Sequence, residues 1–295
     1  MERIMRMKKR LLRSSVPCLI AVAILLSIAL PCCAGAEGKS EAVNILVLGT
    51  DEKLEGTKDI GRSDSIFLFS LDADTGTIRS ISFERSIMVY VPQIYEKDML
   101  THVYHWAGAE GVVSTIEDYF DVSIDGYLQF DYRTFTELVD MIGGVDIELT
   151  AYEAEAINGG WAEVYMYVPV EEGINHLYGH DALEYCRLRM IDDNYMRQRR
   201  QYNTAVAMYR QVKTLSFSEV TAIINEFLPR IQADISPSLL MMLTSSLPKF
   251  MHSETPVAYL QVPEKEYDSK HTMKYFSFDV QKERIKTFLQ EGVQP

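Results

Sequence analysis

The sequence predicts an α/β fold in which a mixed central β-sheet lies between helices. Strand and helix patterns alternate along the chain, which is typical of this class. The first strand, AVNILVLG (Ala42–Gly49), is a continuous apolar run of the kind found where both faces of a sheet are covered. With 295 residues, of which 47% are hydrophobic and 24% charged, the chain can bury the core that such a fold needs.

Apolar periodicity and turn residues define the individual elements. Strands are predicted at Ala42–Gly49, Ser65–Leu71, Thr77–Phe83, Gly126–Phe130, Val145–Leu149 and Val257–Val262. Helices are predicted at Ala107–Phe120, Asp131–Ile142, Met196–Leu215, Ser218–Gln232, Pro237–Lys249 and Asp279–Gln290. The turn at 72–76 joins two strands into a hairpin, Asp131 caps the second helix, and Ser236-Pro237 is a typical helix start.

The first 36 residues form a distinct segment. Six basic residues and one acidic residue precede or flank an uncharged run from Ser14 to Ala36. A basic flank before an apolar segment stays in the cytoplasm, so the following body is exported. Residues 1–36 are therefore predicted to be a membrane anchor, although Ala34-Gly35-Ala36 also suits signal cleavage and secretion. Residues 37–42 form a linker, and residues 43–295 one extracellular domain.

The charge and the cysteine content of the chain limit which partners and which covalent links are possible. The whole chain has a net charge of −13, and without its basic first 36 residues the body carries −18. Such an acidic body repels nucleic acid, so nucleic acid is not expected as a partner. Cys186 is the only cysteine of the body, which excludes an intramolecular disulfide there and favours a buried apolar role for the thiol.

The stretch Tyr185–Gln201 concentrates arginines in this acidic body. It contains Arg187, Arg189, Arg197, Arg199 and Arg200. Guanidinium groups match phosphate oxygens two at a time, and Arg197, Arg200 and Gln201 share one face if this part is helical. One interpretation is a site for a phosphorylated ligand. The other is a solvated helix face paired with Asp192 and Asp193.

Three charged residues lie at strand ends. Asp51 follows the first strand, Asp64 precedes the second, and Arg85 follows the third. Open α/β sheets bind ligands at the carboxyl ends of strands, and two carboxylates could hold a hard cation such as Mg²⁺. A turn or cap role for Asp51 and a surface role for Arg85 are the simpler alternatives.

Seven segments, in order along about 160 residues, resemble the LytR-CpsA-Psr family of bacterial cell-envelope proteins. They are NILVLGTD (44–51), GRSDSIFLFSLD (61–72), the Arg85 region, THVYHWAGAEG (101–111), GYLQFDYRTFTELVDMIGGVDIEL (126–149), LYGHDALEYCRLR (177–189) and RQRRQ (197–201). The resemblance implies a hydrophobic tunnel for a polyprenyl chain beside the sheet. It also implies transfer of a glycan, such as a teichoic acid or capsular polysaccharide, from an undecaprenyl-pyrophosphate carrier to peptidoglycan, assisted by Mg²⁺ or Mn²⁺.

The resemblance also assigns roles to residues. Asp51 and Asp64 match the metal-associated aspartates of the family, and Arg85 and Asp64 are the expected catalytic residues. The residues expected to contact pyrophosphate are Arg62, Arg187, Arg189, Arg197, Arg200 and Gln201. Asp64 is a candidate general base, with Asp192 and Asp193 as alternatives.

The sequence departs from the family pattern near these residues. Glu84-Arg85-Ser86 stands where Pro-Arg-Asp is usual, Met99 replaces a lysine, and Asn194 and Met196 replace Asp and Gly. An alternative function is therefore a weakly active or non-catalytic module that binds polyprenyl phosphates. A transcriptional regulator is a third hypothesis, which the acidic body and the absence of a basic recognition helix oppose.

Overall fold

A computed structural model describes residues 42–51, 61–162, 164–188, 190–264 and 276–291. The strands are β1 Val43–Thr50, β2 Ser63–Asp72, β3 Thr77–Phe83, β4 Met88–Val91, β5 Glu96–Met99, β6 Gly126–Asp131, β7 Val145–Leu149, β8 Gly173–Leu177, β9 Gln232–Asp234 and β10 Ala258–Val262. The helices are α1 Leu100–Phe120, α2 Tyr132–Met141, α3 Ala151–Asn158, α4 Gly179–Arg187, α5 Asn194–Val212, α6 Phe217–Phe227, α7 Pro237–His252 and α8 Phe278–Glu291.

The central sheet is mixed and has the strand order β10-β3-β2-β1-β6-β9. β1 pairs with β2 in antiparallel and with β6 in parallel orientation. β10 runs parallel to β3, and β9 runs antiparallel to β6. The predicted mixed α/β fold is thus confirmed. The hairpins β4–β5 and β7–β8 lie outside this sheet.

Helices cover both faces of the sheet, and β1 supplies side chains to both cores. Ile45 and Val47 enter the core that also contains residues of α2 and α4–α7, whereas Leu46 and Leu48 enter the core shared with α1 and α8. All four side chains are almost completely buried. This double burial explains why β1 is apolar at every position instead of alternating.

Two predicted helices differ from the structure by five residues or more at one end. α1 begins at Leu100, seven residues before the predicted start, and Gly108 interrupts it with φ 66° and ψ −165°. The helix predicted to reach Gln232 ends at Phe227, and a short 3₁₀ turn containing Pro229 follows. Proline has no N–H to continue the helical ladder, and the freed chain forms β9.

Two predicted helix starts coincide with capping side chains in the structure. Asp131 accepts a hydrogen bond from Thr134 N at 2.7 Å, and Ser236 accepts one from Leu239 N at 3.2 Å. No helix in the described part of the chain is both long and apolar enough to cross a bilayer. The predicted anchor, residues 1–36, lies outside the described residues.

Candidate active site

A cavity of 340 Å³ opens beside the carboxyl end of β1, at Gly49. The lining residues run from polar to apolar along β2, from Asp64 to Phe69, and along α5, from Arg197 to Met208. The apolar part is formed by rings and aliphatic side chains from the sheet and the covering helices, namely Phe67, Phe69, Phe130, Phe135, Leu183 and Met208. The polar part carries the charged and amide groups Asp64, Arg187, Arg197 and Gln201. The cavity is therefore suited to a ligand with an apolar body and an anionic head.

Asp64 lies between two arginines that come from different elements. Arg85, which follows β3, donates from Nη1 to Asp64 Oδ1 at 2.5 Å. Arg197 in α5 donates from Nη2 to the backbone carbonyl of Asp64 at 3.3 Å. Both side chains of the Asp64–Arg85 pair remain about one quarter exposed, so a substrate can reach them.

α5 presents Arg197 and Gln201 to the cavity from successive turns. Arg197 is 4% exposed, and Gln201 accepts a hydrogen bond from Ser65 Oγ at 3.1 Å. Asp193 caps the helix by accepting from Met196 N at 2.9 Å. The structure thus brings these two predicted residues together at the polar end of the cavity.

Arg187 ends α4 and lines the same polar end. Its Nη1 donates to Glu184 Oε1 at 2.6 Å, and its guanidinium lies 5.4 Å from the centre of the Tyr132 ring. The side chain is 51% exposed, which leaves it accessible to an anion. Arg189, the neighbouring arginine of the prediction, lies outside the described residues.

Arg200 has a different position from the one predicted. Its guanidinium is 2% exposed and donates to Glu153 Oε1, to both carboxylate oxygens of Asp192, and to the carbonyl of Leu188. It is absent from the cavity wall. These bonds raise its pKa against the opposing effect of burial. We therefore correct the prediction for Arg200, which joins α5 to α3 and to the preceding loop instead of facing a ligand.

Asp51 and Arg62 are joined by two hydrogen bonds. Asp51 Oδ1 accepts from Arg62 N, and Asp51 N donates to the Arg62 carbonyl at 3.1 Å. Gly61 has φ +84°, and a Cβ there would lie 2.6 Å from Asp51 Oδ1, so only glycine fits. The Arg62 side chain is exposed and does not line the cavity.

Asp51 and Asp64 are the candidate metal ligands. In the contacts above each uses Oδ1, and Oδ2 of neither carboxylate takes part in them. Among the described residues, no three His, Cys, Asp or Glu side chains are grouped as a metal site. Mg²⁺ is commonly held by one or two carboxylates together with substrate phosphates and water. Asp64 lines the cavity and Asp51 does not, so a metal ion shared by the two aspartates stays a prediction.

Glu84 is the centre of a cluster that the sequence did not reveal. The side chain is 2% exposed and accepts from Ser86 Oγ at 2.9 Å, from Asn194 Nδ2 at 3.4 Å and from Gln198 Nε2. Three of these four residues, Glu84, Ser86 and Asn194, depart from the family pattern described above. In the structure they contact one another and join the Arg85 turn to the first turns of α5.

Tyr132 is a second site residue that sequence reasoning missed. It lines the cavity beneath Arg187. Burial, followed by the negative charge of Asp64, raises the pKa of its phenol, while Arg187 and Arg197 act in the opposite direction. The hydroxyl therefore stays neutral and can donate a hydrogen bond. Its place directly after Asp131, the helix cap, is the one signal that could have indicated it.

Comparison with protein families gives a match over nearly the whole chain. The model of the LytR_cpsA_psr family matches residues 29–292. A polyisoprenyl-teichoic acid–peptidoglycan teichoic acid transferase TagU from Bacillus anthracis is 30% identical over 203 residues, which are 68% of this chain. The transferase of that name from Oceanobacillus iheyensis is 31% identical over 189 residues. The matched part covers 62% and 55% of the length of these two relatives, respectively.

Comparison with solved structures supports the fold. Protein gbs0355 from Streptococcus agalactiae superposes with a TM-score of 0.66 at 23% identity, covering 85% of this chain and 88% of the other. The LytR-CPS2A-psr family protein YwtF (TagT) with bound octaprenyl pyrophosphate lipid gives 0.59 at 20% identity, covering 88% and 94%. At these identities the similarity establishes the architecture alone.

Proposed function

The chain belongs to the LytR-CpsA-Psr family, and from this premise we propose that it transfers a glycan from a polyprenyl-pyrophosphate carrier to peptidoglycan. The cavity carries the proposal because its apolar part continues directly into a wall of arginines and a carboxylate. A lipid chain and a pyrophosphate are joined in the same order. The names of the TagU relatives and the octaprenyl pyrophosphate bound to YwtF support the same ligand class.

The proposed reaction forms one phosphodiester bond and breaks one pyrophosphate bond. A sugar hydroxyl of peptidoglycan attacks the phosphorus that bears the glycan, and polyprenyl monophosphate leaves. Arg85, Arg187 and Arg197 bind the phosphate oxygens on which negative charge develops, with Gln201 beside them. Asp64 accepts the proton of the attacking hydroxyl. Asp51 and Asp64 would hold a Mg²⁺ or Mn²⁺ ion, which supplies further charge stabilisation at the phosphates.

The same proposal includes the location of the protein. Residues 1–36 anchor the chain in the cell membrane, and residues 43–295 face the wall, where the acceptor lies. The basic residues before the apolar run support this orientation. Cleavage of that segment would instead release the body, and detection of residues 1–36 in membrane-bound protein by mass spectrometry separates the two cases.

Two substitutions test the transferase proposal. Asp64→Ala removes the proton acceptor, and Arg85→Ala removes a guanidinium group that binds the phosphate oxygens. Each should lower turnover of a lipid-linked glycan onto peptidoglycan, with Mg²⁺ present, by about 100- to 1000-fold. Arg210→Ala is the matched control, because Arg210 is an exposed arginine of the same helix α5 outside the cavity wall. Wild-type activity in both site variants would disprove the assigned roles.

The Glu84 cluster supports a second candidate function, a module that binds the carrier without turnover. Its buried carboxylate places a negative charge one residue from Arg85, which is an expected catalytic residue. Lipid retained by the wild-type protein, without product across several acceptors and with Mg²⁺, would favour this function. Product formation would exclude it.

A further inference from the structure

Beyond the cavity, two tyrosines form an exposed aromatic corner that the proposed reaction does not use. Tyr165 and Tyr167 are 70% and 69% exposed. Their ring centres are 6.0 Å apart, and the ring planes meet at 83°. His180 stacks on Tyr167 at 4.1 Å, which leaves the opposite ring face to solvent. We call Tyr165, Tyr167 and His180 the aromatic corner.

The backbone of Tyr165 and Tyr167 is held by hydrogen bonds, although these two residues belong to no helix or strand. Tyr165 N donates to Glu184 Oε2 at 3.0 Å, and Tyr167 N donates to Asp181 Oδ1 at 2.9 Å. His180 Nε2 is 2.8 Å from the Tyr165 carbonyl. Asp181 and Glu184 are both buried, so two carboxylates inside the protein serve to hold two exposed rings. Exposed aromatic side chains on a rigid support are typical of a binding surface.

The corner adjoins the charged end of the cavity. Glu184, which binds Tyr165 N through Oε2, binds Arg187 through Oε1. Val164, the residue before Tyr165, lines the cavity itself. The aromatic corner therefore adjoins the cavity wall at two points, through Glu184 to Arg187 and through Val164.

The proximity of the aromatic corner to Arg187 points to the chemical class of the ligand. In the carrier of the proposed reaction the lipid is followed by pyrophosphate and then by a sugar. Sugar rings present a flat face of C–H groups, which packs on aromatic rings, and hydroxyls at the edge. An anionic bilayer is a poorer partner, because Glu171 and Glu172 are exposed on the segment that follows and would be repelled.

We propose that the aromatic corner is a sugar subsite, in which a ring of the glycan lies against Tyr165 and Tyr167 while the pyrophosphate contacts Arg187. The inference rests on the proposed function for the position of the pyrophosphate. The subsite selects carriers that bear a glycan over carriers that bear none. It supplies affinity through ring stacking and takes no part in the chemical step.

The test compares two probes on the full-length protein in detergent: polyprenyl pyrophosphate without sugar, and the same carrier bearing a glycan. The double variant Tyr165→Ala/Tyr167→Ala should bind the sugar-free carrier as the wild type does. Its affinity for the glycan-bearing carrier should fall by about tenfold, the size of one or two aromatic contacts. Tyr165→Phe/Tyr167→Phe keeps both rings and should retain the affinity.

Two controls define the result. Tyr95→Ala removes a tyrosine that is 82% exposed outside the cavity wall, and it should change neither affinity. A soluble peptidoglycan disaccharide tests the other source of sugar rings. Affinity lost for the carrier-linked glycan supports the inference, and affinity lost for the disaccharide alone would overturn it by assigning the subsite to the acceptor.

Three other results would overturn the inference. They are an equal loss of affinity for both carriers, no loss for any sugar-bearing probe, and loss of binding to phosphatidylglycerol vesicles with sugar binding intact. A wild-type protein that binds neither carrier would remove the proposed function instead. The disaccharide measurement would still show whether the aromatic corner binds a sugar ring.

Discussion

Asp64 is held from two sides, by Arg85 through its carboxylate and by Arg197 through its backbone carbonyl. The three residues are distant in sequence, and each was expected at the site from the family resemblance. Their proximity is a property of the fold, because Asp64 lies near the start of β2, Arg85 follows the neighbouring strand β3, and α5 contacts β2 through Arg197. Strand position indicated Asp64 and Arg85 as neighbours, and only the family resemblance added Arg197 to them.

Tyr132→Phe tests whether the phenol contributes to carrier binding. The substitution keeps the ring beneath Arg187 and removes one neutral donor at the cavity wall. We expect the affinity for polyprenyl pyrophosphate to fall by an amount equivalent to about 1 kcal/mol. Burial raises the pKa of Tyr132 above its ordinary value of 10.0, so the effect should be the same from about pH 6 to about pH 9. An effect that disappears within this range would contradict the assignment of a neutral donor.

Arg200 shows where residue-level prediction fails. Helical spacing places Arg197, Arg200 and Gln201 near one face, but Arg200 and Gln201 are adjacent and differ by about 100° around the axis. Arg200 therefore points to Glu153 and Asp192, while Gln201 points to Ser65. Spacing could not predict this, because Glu153 lies 47 residues away in sequence.

At the scale of elements, Glu84 joins the turn that carries Arg85 to the helix that carries Arg197. Asn194 and Gln198 lie one turn apart on α5 and both donate to the Glu84 carboxylate. A negative charge near the first turns of a helix also interacts favourably with the helix dipole. Glu84 is thus a positioning residue, which sets the separation of the two arginines without contacting substrate itself.

Exchanging the Glu84 carboxylate and the Gln198 amide tests this positioning role. Gln198→Glu alone places two carboxylates face to face, and Glu84→Gln alone removes the charge that orients α5. Each should lower the free energy of unfolding by roughly 2 kcal/mol and reduce turnover. The double variant Glu84→Gln/Gln198→Glu restores an amide–carboxylate pair and should recover much of both losses. Additive losses in the double variant would show that the pair does not act as a unit.

The elements themselves were predictable to different degrees. Helices with a capping side chain, at Asp131 and Ser236, start where the sequence predicts. The break of α1 at Gly108 and the short strand β9 were not predicted. Glycine within an apolar pattern is compatible with a continuous helix, and a three-residue edge strand has too few residues for a periodic signal.

At the scale of the whole molecule, buried tyrosines make stability depend on alkaline pH. Burial raises the pKa of Tyr185, Tyr202, Tyr209 and Tyr259. Above about pH 10 the unfolded chain loses phenolic protons that the folded chain retains. The contribution of these tyrosines to the free energy of unfolding is therefore complete below that pH, and it is lost as pH rises through the folded-state pKa values.

Urea unfolding at increasing pH measures this dependence. Each such tyrosine should contribute a slope of about 1.4 kcal/mol per pH unit in the alkaline range. Tyr209→Phe should reduce the slope, and Tyr95→Phe, whose phenol is 82% exposed, should leave it unchanged. A stability that is constant from about pH 8 to about pH 11 would contradict the prediction.

The 340 Å³ cavity lies within the core on one side of the sheet, where Phe67, Phe69 and Met208 would otherwise pack against other side chains. A protein with such a gap is less stable empty than filled, and any lipid that occupies it shifts the folding equilibrium by mass action. Under the proposed function, the amount of folded protein in a cell would therefore follow the supply of the carrier lipid without a dedicated regulator.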